Sequence, residues 1–212
     1  MITTLWFVFI SVAAYIIGSL NYSIIVSSVF TESDIRSKGS GNAGSTNMMR
    51  NYGWRAGVVT LCTDFLKTFA VTNGAWSIFH LYAPEYAQTA VAVAGFFCAV
   101  GHCFPVFFKF KGGKGIAVGG MTILMVDWRS FLIVVAMFLI FTSISRYVSL
   151  GSIMGAVSFV VSLFFFLDFT KTCDIITYVF TAALVIMVIF IHRNNIVRIV
   201  KGTESKISFK KK

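Results

Sequence analysis

Seven stretches of the chain carry almost no charge: residues 5–30, 56–80, 88–108, 116–126, 130–144, 147–167 and 175–191. A helix crossing the roughly 30 Å hydrocarbon core of a bilayer needs about 20 apolar residues, and most of these stretches are long enough. Within a bilayer the backbone must satisfy its own hydrogen bonds, which leaves helices and closed barrels. Apolar runs of this length, without period-two alternation, select helices. Apolar residues make up 57% of the chain and charged residues only 12%, about half the share usual in a soluble domain. Disorder is excluded, and an ordinary soluble domain is disfavoured.

The net charge of +10 and pI near 9.7 would suit a nucleic-acid binder, but basic residues gathered on one side of a membrane give the same balance. Segments 116–126 and 130–144 are short, and fusing them would give six spans. The distribution of Lys and Arg decides the count. With seven spans, fifteen of the 18 basic residues fall on one face: Arg36, Lys38, Arg50, Arg55, Lys109, Lys111, Lys114, Arg146 and seven in the C-terminal tail. Only Arg129 and Lys171 fall on the other. Six spans would put the basic tail opposite the basic loops. The expectation is therefore an all-α polytopic integral membrane protein, a seven-transmembrane-helix bundle with N-terminus outside and C-terminus cytoplasmic. The start of the chain, Met1-Ile2-Thr3-Thr4, lacks the basic region of a cleaved signal peptide, so the first run is read as a retained span. No internal repeat or linker divides the chain, and residues 1–212 are read as one membrane-embedded domain.

Cys62, Cys98, Cys103 and Cys173 form no CxxC pair and are read as small buried hydrophobes. No metal-ligand cluster is visible, so neither metal nor cofactor is expected. Asp64 and Lys67, three apart in the second run, are either a structural ion pair or part of a cavity lining.

Three polar segments on the basic face hold the chemistry. The first, Lys38 to Arg50, reads KGSGNAGSTNMMR. Gly39, Gly41 and Gly44 permit positive φ and close backbone approach, and successive N–H groups can form an anion-binding nest. Ser40, Asn42, Thr46 and Asn47 add side-chain donors, and Arg50 adds a charge suited to bidentate phosphate contact. A flexible linker would account for the glycines but not for the Asn, Thr and Arg among them. The second segment is Gly101-His102-Cys103-Phe104-Pro105 followed by Phe110-Lys111-Gly112-Gly113-Lys114-Gly115. Two lysines flanking a Gly-Gly turn before a short helix suit an anion; an anchoring basic loop is the alternative. This is not a Walker loop, since Gly115 stands where Ser or Thr would follow the lysine. His102 is either a packing residue or part of the site. The third segment runs His192-Arg193-Asn194-Asn195-Ile196-Val197-Arg198 to Gly202-Thr203-Glu204-Ser205-Lys206. A continuing helix would put His192, Asn195 and Arg198 on one face. Lys210–Lys212 fit a tail that grips anionic headgroups.

These segments resemble, in order and over nearly the whole chain, the signature motifs of the bacterial acyl-phosphate:glycerol-3-phosphate acyltransferases of the PlsY type. GSGNxGxTNxxR covers Gly39 to Arg50, GHxxPxFxxFKGGKG covers Gly101 to Gly115, and HxxNIxRxxxGxExK covers His192 to Lys206. Ser45 and Ile199 replace the commoner Ala and Leu, and neither change removes a functional group. The resemblance implies a seven-helix enzyme of the bacterial inner membrane with its site facing the cytoplasm. Its substrates would be acyl phosphate and glycerol 3-phosphate, acylated at the sn-1 hydroxyl to lysophosphatidate in the first acylation of phospholipid biosynthesis. Neither acyl-CoA nor acyl carrier protein is implied as donor. The HxxxxD signature of the other acyltransferase class is missing: Glu85, Phe107 and Val197 stand five residues after His80, His102 and His192.

On this reading Ser40, His192 and Arg50 are the catalytic candidates. Arg50, Lys114, His192 and Asn195 would hold the phosphate of glycerol 3-phosphate. The loop of Gly39, Ser40, Gly41, Asn42 and Gly44, with Thr46 and Asn47, would hold the acyl-phosphate headgroup. Gly112, Gly113 and Arg198 are further substrate-binding candidates, and His102 and Lys111 would either bind substrate or shape the pocket. Either His192 or a substrate phosphate takes the hydroxyl proton; an acyl-Ser40 intermediate lacks a supporting triad. No nucleic acid is expected as partner, and the oligomeric state is left open. A transporter for a phosphorylated solute would share the cationic pocket, but no inverted repeat is visible and the basic groups lie at one face rather than at the midplane.

Overall fold

The structure is a computed structural model that describes residues 2–168 and 171–207. Among these residues ten α-helices form and no strand does: α1 (Ile2–Gly18), α2 (Tyr22–Thr31), α3 (Ser45–Tyr52), α4 (Trp54–Tyr82), α5 (Ala87–Cys103), α6 (Ile116–Val126), α7 (Trp128–Ser145), α8 (Val148–Phe166), α9 (Thr172–Ile191) and α10 (Arg193–Val200). Five segments are long and apolar enough to cross a membrane: Ile2–Thr31, Pro84–Phe108, Trp128–Ser145, Val148–Phe166 and Asp174–Ile191. At 29 residues α4 is the longest single helix among the described residues, but buried Thr60, Asp64, Lys67, Thr68 and Thr72 dilute its hydropathy. With 11 residues, α6 reaches only about 16 Å at 1.5 Å per residue.

α5 is the axis of the bundle. It packs against α1, α4, α6 and α9. Its buried residues are mostly small, which lets neighbouring backbones approach closely, as helices in lipid require. A Cβ on Gly95 would collide with Thr122 of α6, and one on Gly101 with the Tyr15 carbonyl of α1. Gln88, in the first turn of α5, donates to the carbonyls of Met125 (3.0 Å) and Val126, the last residues of α6. α5 and α6 therefore run antiparallel. α7 and α8 form an outer hairpin with large apolar side chains exposed along it, including Leu132, Ile140, Ile144, Val161 and Phe165. Apolar residues outside and hydroxyls inside is the arrangement of a chain whose solvent is lipid.

The first run is long and apolar enough to cross as one span, as expected, but it is built from two helices broken at Ser19–Asn21. The Asn21 side chain caps α2 by accepting from the Ile24 amide at 3.3 Å. The carbonyls released at the break, Gly18 and Leu20, accept hydrogen bonds from the Lys67 ammonium at 3.3 and 2.9 Å. The short segments 116–126 and 130–144 are separate helices. Asp127 ends α6 and caps α7 through the Ser130 amide at 2.8 Å. Cys98 and Cys103 are buried as expected, but Cys62 is exposed, because in lipid the outward face of α4 is also apolar. The side chain of Cys173 and residues Lys210–Lys212 lie outside the described residues.

Candidate active site

The first polar segment is held by one side chain. Asn47, in the first turn of α3, is 2% exposed. Its Nδ2 donates to the carbonyls of Ile35 (3.2 Å), Lys38 (3.0 Å) and Asn42 (3.0 Å). Its Oδ1 accepts from the Ser40 amide at 3.1 Å and from Asn51 Nδ2 at 3.0 Å. Gly39 sits at φ +56°, where a Cβ would strike Asn47 Oδ1. The loop is therefore braced from below. Ser40, Asn42, Gly44, Ser45 and Thr46 line a cavity above it, and so does the Arg50 guanidinium, which has no partner among the described residues.

The second segment is laid against the end of α5. The amides of Gly112 and Gly113 donate to the carbonyls of Cys103 (3.0 Å) and His102 (3.1 Å). A Cβ on Gly113 would meet both the His102 ring and the Ala43 carbonyl, so only glycine allows the two polar loops to touch. Gly41, Lys111, Gly112 and Gly113 are absent from the cavity lining, while Gly39, Asn47, His102 and Lys114 belong to it. The expectation that Lys111 contributes a cation to the pocket is not matched by its placement: it is exposed, and its carbonyl accepts from Arg36.

The third segment closes the site. His192 interrupts α9 and α10 with φ −83° and ψ 2°, and His192, Asn195 and Arg198 all face the cavity. His192 Nδ1 lies 2.8 Å from the Val188 carbonyl, which makes Nδ1 the donor and leaves the lone pair on Nε2. Burial pushes the imidazole down to about 4, with Lys114 acting in the same direction. Lys114 Nζ donates to Asn195 Oδ1 at 2.5 Å. Asn195 Nδ2 donates in turn to Glu204 Oε1 at 2.7 Å, Ser149 Oγ donates to the same oxygen at 2.7 Å, and Arg198 Nε donates to Glu204 Oε2 at 2.7 Å. Burial works to raise the Glu204 carboxyl, but these bonds prevail and hold it below the ordinary carboxylate range. Burial lowers Lys114 to about 8, with Arg198 and Arg50 adding to the fall and Glu204 opposing it.

Glu204 belongs to the third motif, whereas Ser149 lies outside every motif. It stands in the first turn of α8, 55 residues from its partner. Asp64 also reaches the cavity lining. Its Oδ1 lies 2.8 Å from Lys67 Nζ and 3.5 Å from His102 Nδ1, in a cluster less than 5% exposed at each side chain. Lys67 Nζ is also 3.1 Å from His102 Nδ1. The ion pair thus braces the α1–α2 break and borders the cavity at once.

The cavity holds about 780 Å³. Its polar end gathers Arg50, Lys114, Arg198, His192 and the glycine loop. Its other end is apolar, lined by Phe65, Ile123, Phe131, Val135, Phe138 and Phe159 between α4, α6, α7 and α8. The polar end suits phosphate and the apolar end suits a hydrocarbon chain.

Comparison with known proteins agrees with this chemistry. A family model described as glycerol-3-phosphate acyltransferase matches residues 8–202. The chain is 35% identical to the glycerol-3-phosphate acyltransferase of Chlorobaculum tepidum, over 98% of this chain and 99% of that one. It is 39% identical to the corresponding protein of Endomicrobium trichonymphae, over 95% and 96%. A crystal structure of PlsY (YgiH), an integral membrane glycerol 3-phosphate acyltransferase in its glycerol 3-phosphate form, superposes with a TM-score of 0.84 at 29% identity, covering 95% of this chain and 96% of that one.

Proposed function

The chain belongs to the glycerol-3-phosphate acyltransferase family, and from that premise we propose that it moves a fatty acyl group from acyl phosphate to the sn-1 hydroxyl of glycerol 3-phosphate. The products are lysophosphatidate and inorganic phosphate, and the reaction is the first acylation of phospholipid biosynthesis. The observation that carries the reading is the two-natured cavity: a cationic, amide-rich end continuous with an apolar end between helices. Both substrates bear phosphate and one bears a hydrocarbon tail.

Arg50, Lys114 and Asn195 hold the phosphate of glycerol 3-phosphate beside His192. The glycine loop from Gly39 to Gly44, with Ser40, Asn42 and Thr46, receives the acyl-phosphate headgroup, while the tail lies along Phe65, Phe131 and Phe138. The sn-1 oxygen attacks the acyl carbon, the bond from that carbon to the phosphate oxygen breaks, and phosphate leaves. The hydroxyl proton passes to His192 Nε2, whose lone pair is exposed by the Nδ1 bond to Val188, or to a substrate phosphate. Acyl phosphate is already activated, so alignment and charge neutralisation supply most of the acceleration. Ser40 acts as a donor rather than a nucleophile, since among the described residues no base is hydrogen-bonded to it.

The chain acts as one domain that crosses the bacterial inner membrane seven times, with the N-terminus outside and the C-terminus and the site in the cytoplasm. Support comes from the charge distribution and from α4, whose length suffices for a crossing. Purified protein given acyl phosphate and labelled glycerol 3-phosphate should form lysophosphatidate, and acyl-CoA should not replace the donor. A folded preparation that forms no product overturns the proposal.

A further inference from the structure

Arg36 lies outside the cavity and outside the signature motifs, yet it makes more directed contacts than any other arginine described. Nη1 donates to the carbonyls of Phe108 and Lys111, each at 2.8 Å. Nε lies 3.0 Å from both carboxylate oxygens of Asp34, and Nη2 is 2.6 Å from Asp34 Oδ2. Asp34 is itself fixed, accepting from the Arg36 amide at 2.8 Å. The guanidinium is thus clamped on one edge by its own turn, with another edge offered to the second loop.

The two carbonyls it reaches have a particular position. They flank Lys109 and Phe110, which stand at φ +58° and +56°. Two successive non-glycine residues in the left-handed region are strained, and such a turn persists only where its surroundings hold it. Lys114 follows three residues after Lys111. On the other side Arg36 is followed closely by Lys38, Gly39 and Ser40. Each subsite has its own brace, Asn47 for the glycine loop and Asn195 for Lys114. Arg36 adds a hydrogen-bonded tie between the loops, which also pack together at Gly113 and Phe108.

We infer that Arg36 is a positioning residue that sets the distance between the two phosphate-binding loops, and so the alignment of the two substrates. The inference rests on the proposed assignment of the loops to acyl phosphate and glycerol 3-phosphate. Loosening the tie leaves each headgroup site intact while the attacking oxygen and the acyl carbon lose register, and misplacement near 1 Å is enough to slow transfer about a hundredfold.

The test uses full-length protein in detergent micelles with Arg36→Ala, Arg36→Lys and, as a control, Lys171→Ala. Calorimetry with glycerol 3-phosphate should give a Kd within about threefold of the parent for every variant, at full binding stoichiometry, so that loss of folded protein is excluded. kcat with acyl phosphate should fall at least tenfold in Arg36→Ala and stay at the parental value in Lys171→Ala. Millimolar guanidinium should restore part of the Arg36→Ala loss. An Arg36→Ala protein with parental kcat, or one whose kcat falls only as its binding stoichiometry falls, overturns the inference. Should Arg36→Ala not fold, Arg36→Lys decides: a threefold or greater fall in kcat at full stoichiometry supports the tie, and an unchanged kcat refutes it. Failure of the underlying reading looks different: the parent protein would form no lysophosphatidate, or Lys114→Ala would leave the Kd for glycerol 3-phosphate untouched.

Discussion

Lys114 Nζ lies 2.5 Å from Asn195 Oδ1, joining the loop before α6 to the helix that follows the last long span. The bond holds a partly buried ammonium at the polar end of the cavity while its other donors remain for an anion. Burial has brought the Lys114 pKa to about 8, so its charge changes within the accessible pH range.

Affinity for glycerol 3-phosphate should therefore weaken as pH rises through about 8, where Lys114 becomes neutral. Lys114→Arg, charged at all accessible pH, should move this alkaline limb upward even if it lowers the maximum. A KM profile between pH 6 and 10 checks this, and an unchanged limb in Lys114→Arg would assign it elsewhere. Stability has the opposite trend. Between about 8 and the ordinary lysine value of 10.5 the unfolded chain holds a proton that the folded one does not, so the free energy of unfolding rises with pH across that window.

His192 is neutral above about 4, with its lone pair on Nε2. His192→Ala should reduce kcat by about a hundredfold or more, the scale of a lost proton acceptor. Lys171→Ala, far from the cavity, should leave it unchanged. If the substrate phosphate is the acceptor instead, His192→Ala will mainly raise KM with kcat little changed, so kcat and KM of His192→Ala, measured separately, distinguish the routes.

Asn47→Ala should strip the glycine loop of its brace. The Ser40 amide would lose its acceptor, and the carbonyls of Ile35, Lys38 and Asn42 would each keep only a backbone donor, from Lys38, Gly41 and Gly44; each hydrogen bond lost is worth about 0.5–1.5 kcal/mol. The expected result is a lower Tm in detergent together with faster proteolysis between residues 38 and 44. A variant with parental Tm would mean that the loop is held by something other than Asn47.

Lys67→Met should be among the most damaging single changes. It leaves the Asp64 carboxylate buried without its cation, a loss on the order of 3–5 kcal/mol, and frees two helix-end carbonyls. Adding Asp64→Asn should recover part of the loss. Thermal unfolding of the parent, the single and the double variant checks this, and a double variant no better than the single would show that the carbonyls alone account for the damage.

The helices were legible because apolar run length is a one-dimensional signal that lipid imposes directly. The break at Ser19–Asn21 was not, because its causes are distant in sequence: the Lys67 ammonium and close packing of Gly18 on Cys98. Serine and asparagine between two apolar runs were a local hint, outweighed by the length of the run. In the site, residues that touch the cavity through short side chains or through charge were found by motif. Other motif residues serve the backbone as well: Gly112 and Gly113 let the loops approach without lining the cavity, and Asn47 holds a turn while lining it. Arg36 and Ser149 carry no local signal of their roles, because their partners lie 72 and 55 residues away.

The Lys67 contact to Gly18 and Leu20 also constrains the order of biogenesis. As the chain emerges, α1 and α2 enter lipid long before α4 has been made. Until then the two carbonyls at their junction lack the ammonium that satisfies them in the folded chain. The N-terminal helices are thus completed late, by a residue translated after them.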